Sequence, residues 1–312
     1  PKTSQAIADM LGAIYAPEYV AVIQGGRQEN AALLEQKFDY IFFTGSNTVG
    51  RLVMEAAAKN LTPVTAELGG KSPAIVDASS DLKLAAKRIA FGKLLNGGQT
   101  CVAPDYVLVE ESARDQLIQY FREVLEEKFP NGNYADHVRI VSERHFKQKK
   151  ALLEGQTIAF GGRVDEAQRT IEPTVLIDVD PESQVMQEEI FAPILPVLTW
   201  TKLDEAIDFV RSRPEPLALY LFTSSRDVEK KVLDTCSFGG GCINDTVVQL
   251  ANSDLGFGGV GQSGMGSYHG KRSFDTFTHY RSIVRKSTRL DLPFRYFPYT
   301  KKNFRLIRRF LQ

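Results

Sequence analysis

The chain has 312 residues, of which 43% are hydrophobic and 24% charged, and its 38 basic and 38 acidic residues leave no net charge. This composition is typical of a globular protein with a large core, and it gives no electrostatic reason to expect a nucleic-acid partner. The sequence contains no apolar run of about eighteen residues, the length that spans a membrane. Three widely spaced cysteines favour a reducing, cytoplasmic environment over a disulfide framework.

Short apolar runs alternate with amphipathic stretches along most of the chain. The runs predict strands at 19–23, 40–43, 63–68, 74–76, 106–109, 173–177, 194–198 and 217–222. The amphipathic stretches predict helices at 29–36, 51–59, 82–91, 113–128, 144–154, 203–210 and 228–235. This alternation predicts an α/β fold with a mostly parallel sheet and helices on both of its faces.

Glycine and charge patterns suggest where the chain changes character. The Gly69-Gly70 pair separates two α/β units, and the glycine-rich residues 255–270 predict a tightly packed loop. The final stretch mixes aromatic residues with six basic ones, which is typical of a solvated arm and compatible with weak contact to a membrane surface. We therefore predict three segments: 1–68, 69–280 and 281–312. Because the chain opens on Pro1 without Met or a signal peptide, we expect it to be part of a longer protein.

Cys101 is the first candidate for chemistry. It follows Gly97-Gly98-Gln99-Thr100 at the mouth of a turn, whereas a cysteine that only packs usually lies within an apolar helix or strand. Glycines let the backbone approach a ligand closely, and their N–H groups can stabilise an oxyanion. On this evidence alone, a buried inert thiol remains the alternative to a nucleophile.

Glu67 is the second candidate. It stands at the end of a predicted strand and directly before the Gly69-Gly70 turn. Doubly wound sheets bind their ligands at the carboxyl ends of strands, and a carboxylate buried there can act as a base near neutral pH. A surface glutamate in a cap or salt bridge is the alternative for this residue taken by itself.

Five motifs together resemble the aldehyde dehydrogenase superfamily, along essentially the whole chain. Glu-Leu-Gly-Gly-Lys-Ser-Pro begins at Glu67, and Gly-Gly-Gln-Thr-Cys ends at Cys101. The other three are Phe-Thr-Gly-Ser-Asn-Thr-Val-Gly at 43–50, Gln-Glu-Glu-Ile-Phe-Ala-Pro at 187–193, and the glycine-rich stretch at 257–271, which resembles the class 3 branch in particular. The resemblance implies an aldehyde dehydrogenase-like fold, with part of a Rossmann-type parallel sheet and an α/β catalytic domain.

The resemblance also implies a reaction and a set of cofactor contacts. Cys101 would attack an aldehyde, hydride would pass to NAD or NADP, and Glu67 would activate the water that hydrolyses the resulting thioester. The expected cofactor-binding residues are Gly45, Ser46, Val49, Gly50, Leu68, Glu189 and Phe191. We further expect a homodimer that acts on an aldehyde. The oxyanion-hole asparagine and the adenosine-ribose contacts of the family would precede Pro1, so the preference between NAD and NADP stays open.

Two other functions remain open, and a metal site is not expected. A relative that transfers the acyl group to CoA or phosphate would need no water-activating Glu67, whereas a silent fragment or binding protein would need neither Glu67 nor Cys101. Cys236 and Cys242 have no further ligand at a metal-binding spacing. We predict that His137, His145 and His279 are solvated, and that His269 makes a structural hydrogen bond.

Overall fold

Strands and helices alternate through the part of the chain that the structure, a computed structural model, describes: residues 2–132, 134 and 137–311. The chain forms two compact units, Pro1–Phe277 and Thr278–Gln312. The helices of the larger unit are α1 (Lys2–Ile14), α2 (Arg27–Leu34), α3 (Asn47–Ala58), α4 (Leu82–Leu94), α5 (Arg114–Lys128), α6 (Glu143–Ala151), α7 (Gln184–Gln187), α8 (Leu203–Arg211), α9 (Arg226–Thr235) and α10 (Gly270–Thr276). The smaller unit contains α11 (Lys301–Phe310).

The strands of the larger unit form two main sheets and a hairpin. They are β1 (Ile41–Thr44), β2 (Val64–Glu67), β3 (Pro73–Val76), β4 (Tyr106–Glu110), β5 (Thr157–Phe160), β6 (Val164–Asp165), β7 (Thr170–Ile171), β8 (Thr174–Ile177), β9 (Ile194–Trp200), β10 (Ala218–Phe222), β11 (Gly240–Ile243) and β12 (Gly264–Met265). The first sheet has the order β1-β2-β12, the second has the order β11-β10-β3-β4-β9-β8-β5, and β6 pairs with β7. In the second sheet only β5 runs antiparallel to its neighbour.

The second sheet is covered on both faces, as the sequence predicted. Alternate residues of its central strands enter two different hydrophobic clusters, because successive side chains of a strand point to opposite faces. Ile75 and Leu108 join the cluster that contains residues of α6, α8 and α9. Val76 and Val109 join the cluster that contains residues of α4 and α5. The prediction of a mostly parallel sheet with helices on both sides is therefore confirmed.

The predicted strand at 19–23 is wrong. These residues form no strand, and Tyr19 and Ile23 are 85% and 60% exposed. A run of apolar residues becomes a buried strand only when a neighbouring strand takes up its backbone hydrogen bonds, and none of the described strands pairs with this run. A second difference concerns α3, which begins at Asn47 rather than near residue 51 because Ser46 caps it by accepting a hydrogen bond from the Val49 N–H.

The chain changes sheets at the Gly69-Gly70 pair, where the sequence predicted a boundary. It leaves the first sheet after Glu67 and enters the second at Pro73, and it returns to the first sheet at β12. Residues 1–277 nevertheless group as one unit by their contacts, and the smaller unit begins at residue 278. The division into segments 1–68, 69–280 and 281–312 therefore stays a prediction.

A buried ion pair joins the segments that surround this crossing point. The ammonium of Lys71 binds the carboxylate of Asp105, and the two side chains are only 11% and 4% exposed. The same ammonium donates to the carbonyl oxygens of Val185 (2.9 Å) and Glu188 (2.8 Å). Asp105 in turn accepts a hydrogen bond of 3.0 Å from the Ile190 N–H. One cation thus holds together the turn after β2, the entrance to β4 and the segment 185–190.

We predict that Asp105→Asn lowers the free energy of unfolding by about 3 kcal/mol, because it keeps the shape of the side chain but leaves a buried ammonium without its counter-charge. Urea denaturation followed by the fluorescence of Trp200, the single tryptophan, which is 6% exposed, measures the change. Glu166→Gln is the control, since it removes the exposed pair with Lys150 and should leave the curve almost unchanged. Superimposable curves for Asp105→Asn and the parent protein would contradict the prediction.

Candidate active site

Glu67 lies at the carboxyl end of β2, between the neighbouring strands of the first sheet. In the sheet register Thr44 stands opposite it on β1 and Gly264 stands opposite it on β12. Its side chain is 7% exposed and both carboxylate oxygens have partners. Oε2 accepts hydrogen bonds from the hydroxyls of Thr44 (2.9 Å) and Tyr268 (2.6 Å). The carboxylate is therefore buried and fixed, which excludes the interpretation of Glu67 as a solvated surface residue.

Cys101 reaches Glu67 from the loop between α4 and β4. The chain makes a 3₁₀ turn at Leu95–Gly98 after α4, and Gly97 and Gly98 have φ angles of 64° and 76°. A Cβ on Gly98 would lie 2.4 Å from the carbonyl oxygen of Ala192, so only glycine fits there. The turn aims the thiol of Cys101 at Glu67, and Sγ donates to Oε1 over 3.1 Å. The structure thus brings together the two residues that the sequence selected, 34 positions apart.

The surroundings of Cys101 keep its thiol protonated in the absence of substrate. Burial is the largest cause that raises the pKa of Cys101 far above its ordinary value, and the negative charge of Glu67 and the hydrogen bond to it raise the pKa further. A thiol of this kind becomes a nucleophile only when a base accepts its proton. The hydrogen-bonded Oε1 of Glu67 is in position to accept it.

A cavity of about 600 Å³ opens beside the Cys101–Glu67 pair. Seven of the predicted site residues line it: Gly45, Ser46, Glu67, Leu68, Cys101, Glu189 and Phe191. Val49 and Gly50 do not line it. Val49 uses its backbone N–H to bind the Ser46 hydroxyl (3.4 Å), and Gly50 lies against Leu68, whose Cδ2 would be 2.6 Å from an added Cβ. These two residues therefore shape the turn that carries Ser46.

Glu189 is half-buried and lines this cavity. Its Oε1 has no hydrogen-bond partner among the described residues, although it is shielded from solvent. Burial raises the pKa of Glu189 to about 8, and the negative charge of Asp105 adds to this effect, while the charge of Lys149 opposes it. The side chain lies against Gly69, where a Cβ would be 2.2 Å from Oε2. An unpaired buried polar atom is costly, so the site favours a ligand that forms a hydrogen bond with this carboxyl group.

Several residues of the site were not singled out from the sequence. Tyr268 and Thr44 bind Glu67, and three residues of α6, His145, Gln148 and Lys149, line the cavity. Lys149 also donates to the Glu189 carbonyl oxygen over 3.1 Å. Tyr268 lies within the glycine-rich stretch that the sequence marked, but its partner lies 201 residues away and no local pattern indicates the contact.

Of the other candidates from the sequence, His145 lines the cavity and the rest do not. His145 and His279 are exposed as predicted, whereas His137 is only 9% exposed, so its prediction as a solvated residue is wrong. It packs near Phe129 and Tyr134, and burial lowers its pKa. His269 stacks on Phe257 at 5.3 Å. Within the described ranges, no group of three or more His, Cys, Asp and Glu side chains is arranged to hold a metal ion.

Comparison with known sequences places this geometry in a family. The model of the aldehyde dehydrogenase family matches residues 1–283. The chain is 49% identical over its whole length to the 4,4'-diaponeurosporen-aldehyde dehydrogenase of Staphylococcus aureus and covers 69% of that protein. It is 50% identical over 91% of its length to aldehyde dehydrogenase family 3 member A2 of Rattus norvegicus, of which it covers 59%. It is 48% identical over 90% of its length to the dimeric NADP-preferring aldehyde dehydrogenase of the same species, of which it covers 63%.

Solved structures agree with these sequence relatives. A substrate-bound aldehyde dehydrogenase of Staphylococcus aureus superposes on 99% of the chain with a TM-score of 0.94 and 49% identity, and the chain covers 68% of it. An aldehyde dehydrogenase of Mycobacterium tuberculosis in complex with NAD+ superposes on 89% of the chain with a TM-score of 0.80 and 29% identity, and the chain covers 60% of it. The chain therefore belongs to the aldehyde dehydrogenase family.

Proposed function

We propose that this chain carries the catalytic centre of an NAD(P)-dependent enzyme that oxidises an aldehyde to a carboxylic acid. The observation that carries the proposal is the hydrogen bond of 3.1 Å between Cys101 and Glu67 at the wall of a cavity that Ser46 and Glu189 also line. A nucleophile, a base and a buried acceptor for a cofactor then share one space. The chain spans 69% of the length of one of these relatives and 59% of another. The activity of those whole proteins is therefore a proposal for this chain.

The first chemical step uses the existing hydrogen bond. Oε1 of Glu67 accepts the proton of the Cys101 thiol, and the thiolate attacks the aldehyde carbon to form a tetrahedral hemithioacetal. Burial makes an isolated thiolate costly, so proton transfer coupled to attack avoids a long-lived buried charge on sulfur. The reaction thereby creates a carbon that bears an oxygen and is able to release hydride.

The residues around the cavity fit NAD or NADP. The carboxyl group of Glu189, whose Oε1 has no partner within the described residues, suits the hydroxyls of a ribose, which both donate and accept hydrogen bonds, and Phe191 lines the same cavity. Gly45 and Ser46 stand at the N-terminus of α3, a helix of 12 residues whose dipole and free N–H groups favour phosphate. Val49, Gly50 and Leu68 shape this turn. When bound, the nicotinamide supplies the acceptor for the hydride.

Hydrolysis of the thioester then uses Glu67 a second time. Glu67 first releases to solvent the proton that it took from the thiol, which is the proton that the overall oxidation produces. Once Sγ of Cys101 carries an acyl group it has no proton to donate, so the carboxylate Oε1 of Glu67 is again free to accept a proton, now from water. The water attacks the thioester carbon, the acid leaves, and the proton returns to the thiol. This use of Glu67 favours water over CoA or phosphate as the acyl acceptor, and the paired Cys101 and Glu67 favour an enzyme over a silent binding protein.

We also propose a homodimer in a reducing, cytoplasmic environment, with weak contact to a membrane surface. One relative is named as dimeric, and a nucleophilic Cys101 has to stay reduced. The membrane contact rests on α11 and the residue after it, where exposed Phe304 and Leu311 accompany the basic side chains of Lys301, Lys302, Arg305, Arg308 and Arg309. None of the helices in the described part of the chain has the length and apolarity of a membrane span.

We predict that Cys101→Ser lowers aldehyde oxidation by more than about a hundredfold, because a hydroxyl is a poorer nucleophile than a thiolate and Glu67 is a weak base for it. Cofactor binding, measured by calorimetric titration, should change little, since Ser46 and Glu189 are untouched. Cys242→Ser is the matched control: that thiol donates to Gln249 and does not line the cavity. A Cys101→Ser enzyme with a few per cent or more of the parent activity would contradict the assignment.

We predict that Glu67→Gln produces a slow burst of reduced cofactor, equal to about one per site, and then stalls, because the amide cannot deprotonate the water that releases the acyl group. Mass spectrometry of the stalled protein should show the acyl group on Cys101. Steady-state turnover at the parent rate would mean that Glu67 has only a structural role.

We predict that the protein binds vesicles that contain phosphatidylserine and ignores vesicles of phosphatidylcholine alone, because each basic residue near an anionic surface contributes about 1 kcal/mol. Co-sedimentation measures the bound fraction, which should fall as salt is raised. The double change Arg308→Glu and Arg309→Glu should abolish binding, whereas Arg122→Glu on α5 should not. Equal binding to both kinds of vesicle would refute the electrostatic contact.

A further inference from the structure

The two oxygens of the Glu67 carboxylate have different partners. Oε1 accepts from the thiol of Cys101, and Oε2 accepts from two hydroxyls, those of Thr44 and Tyr268. The thiol takes part in the proposed reaction, whereas neither hydroxyl has a role in it. One oxygen is therefore available for proton transfer while the other is tied to the protein.

Tyr268 is held in place without the help of its own hydroxyl. Its backbone forms two hydrogen bonds with Phe257, of 2.8 and 2.7 Å. Its ring contacts those of Phe42 and Phe257 edge to face, with centroids 4.7 and 5.5 Å apart. These contacts come from β1 and from the glycine-rich stretch, so the ring position is fixed before the hydroxyl binds Glu67. The hydroxyl at its tip thus acts as a rigid donor.

The hydroxyl of Tyr268 donates at any pH at which the enzyme is expected to work. Burial, followed by the hydrogen bond to Glu67, raises the pKa of Tyr268 well above its ordinary value. Thr44 approaches Oε2 from β1, the strand that pairs with β2. The carboxylate is thus held by hydrogen bonds from β1 and from the glycine-rich stretch, and these fix the direction in which Oε1 points.

We propose that Tyr268 and Thr44 are positioning residues that hold Oε2 of Glu67, so that Oε1 binds first the thiol of Cys101 and then the attacking water without a movement of the carboxylate. The inference rests on the proposed function and extends it to two residues that act through Glu67. The attack by water depends on Tyr268 and Thr44 more than the attack by the thiol does. A thiol is covalently fixed and itself holds Oε1, whereas a water molecule is oriented only by the base that it binds.

An activated ester separates the two steps without a cofactor. Cys101 attacks p-nitrophenyl acetate, an S–C bond forms, the ester C–O bond breaks and p-nitrophenolate leaves. Water then hydrolyses the thioester to acetate and restores the thiol. The initial burst of p-nitrophenolate reports acylation, and the later steady rate reports the deacylation that Glu67 assists.

We expect Tyr268→Phe to keep the acylation rate within about threefold of the parent and to slow deacylation about tenfold or more, the scale of one hydrogen bond to a charged group. Acetylated Cys101 should accumulate and be visible by mass spectrometry. Thr44→Val should also slow deacylation, and the deacylation rate of the double variant should approach that of Glu67→Gln. Tyr40→Phe is the control, because the Tyr40 hydroxyl binds the hydroxyl of Thr65, which lies on β2 like Glu67, and makes no hydrogen bond to Glu67 itself.

The outcomes distinguish this inference from the function on which it rests. If the parent protein shows no burst or is acetylated elsewhere than on Cys101, the proposed function fails and this inference with it. If the parent protein shows both phases but Tyr268→Phe deacylates at the parent rate, or loses both rates equally, only the positioning role is refuted. Should Tyr268→Phe not fold, Thr44→Val decides, since it retains a β-branched side chain in β1.

Discussion

The ion pair between Lys71 and Asp105 is the interaction on which the site depends. Lys71 follows the strand that ends in Glu67, and Asp105 follows the turn that carries Cys101. The carbonyl oxygen of Glu188, next to Glu189, binds the same ammonium. One buried cation therefore joins the three separate segments that carry Cys101, Glu67 and Glu189. Its desolvation is offset by an opposite charge and two carbonyl oxygens, so it is stable only in the folded arrangement.

The return of the chain to the first sheet supplies the other half of the site. Strand β12 pairs with β2 so that Gly264 stands opposite Glu67, and the chain then turns back to bring Tyr268 onto the same carboxylate. A Cβ on Gly264, whose φ is 141°, would lie 2.2 Å from the carbonyl oxygen of Ala66. The glycine-rich stretch is therefore a tightly packed structural segment, and its close approach to β2 completes the surroundings of Glu67.

Two buried groups near the site are left without hydrogen-bond partners in the described part of the chain. Burial lowers the pKa of Lys93 to about 8, although the charge of Asp105 opposes this effect, and burial raises the pKa of Glu189 to about 8. Unpaired buried groups cost stability, and sites that bind ligands commonly carry such a cost. Glu189 lines the cavity beside Cys101, which is where such a cost is expected if the site binds a ligand.

The sequence by itself determined the alternation of strands and helices, and its motifs singled out Cys101 and Glu67, because periodicity and turn glycines are local properties of the chain. The predictions of a strand at residues 19–23 and of a solvated His137 failed, because pairing and burial depend on neighbours in space that the local sequence does not identify. Only the tertiary structure decided that Cys101 donates to Oε1 of Glu67 and that Tyr268, 201 residues further along, donates to Oε2. These contacts follow from the register of two sheets and the path between them. Both arise when distant segments pack together, so no window of sequence contains them.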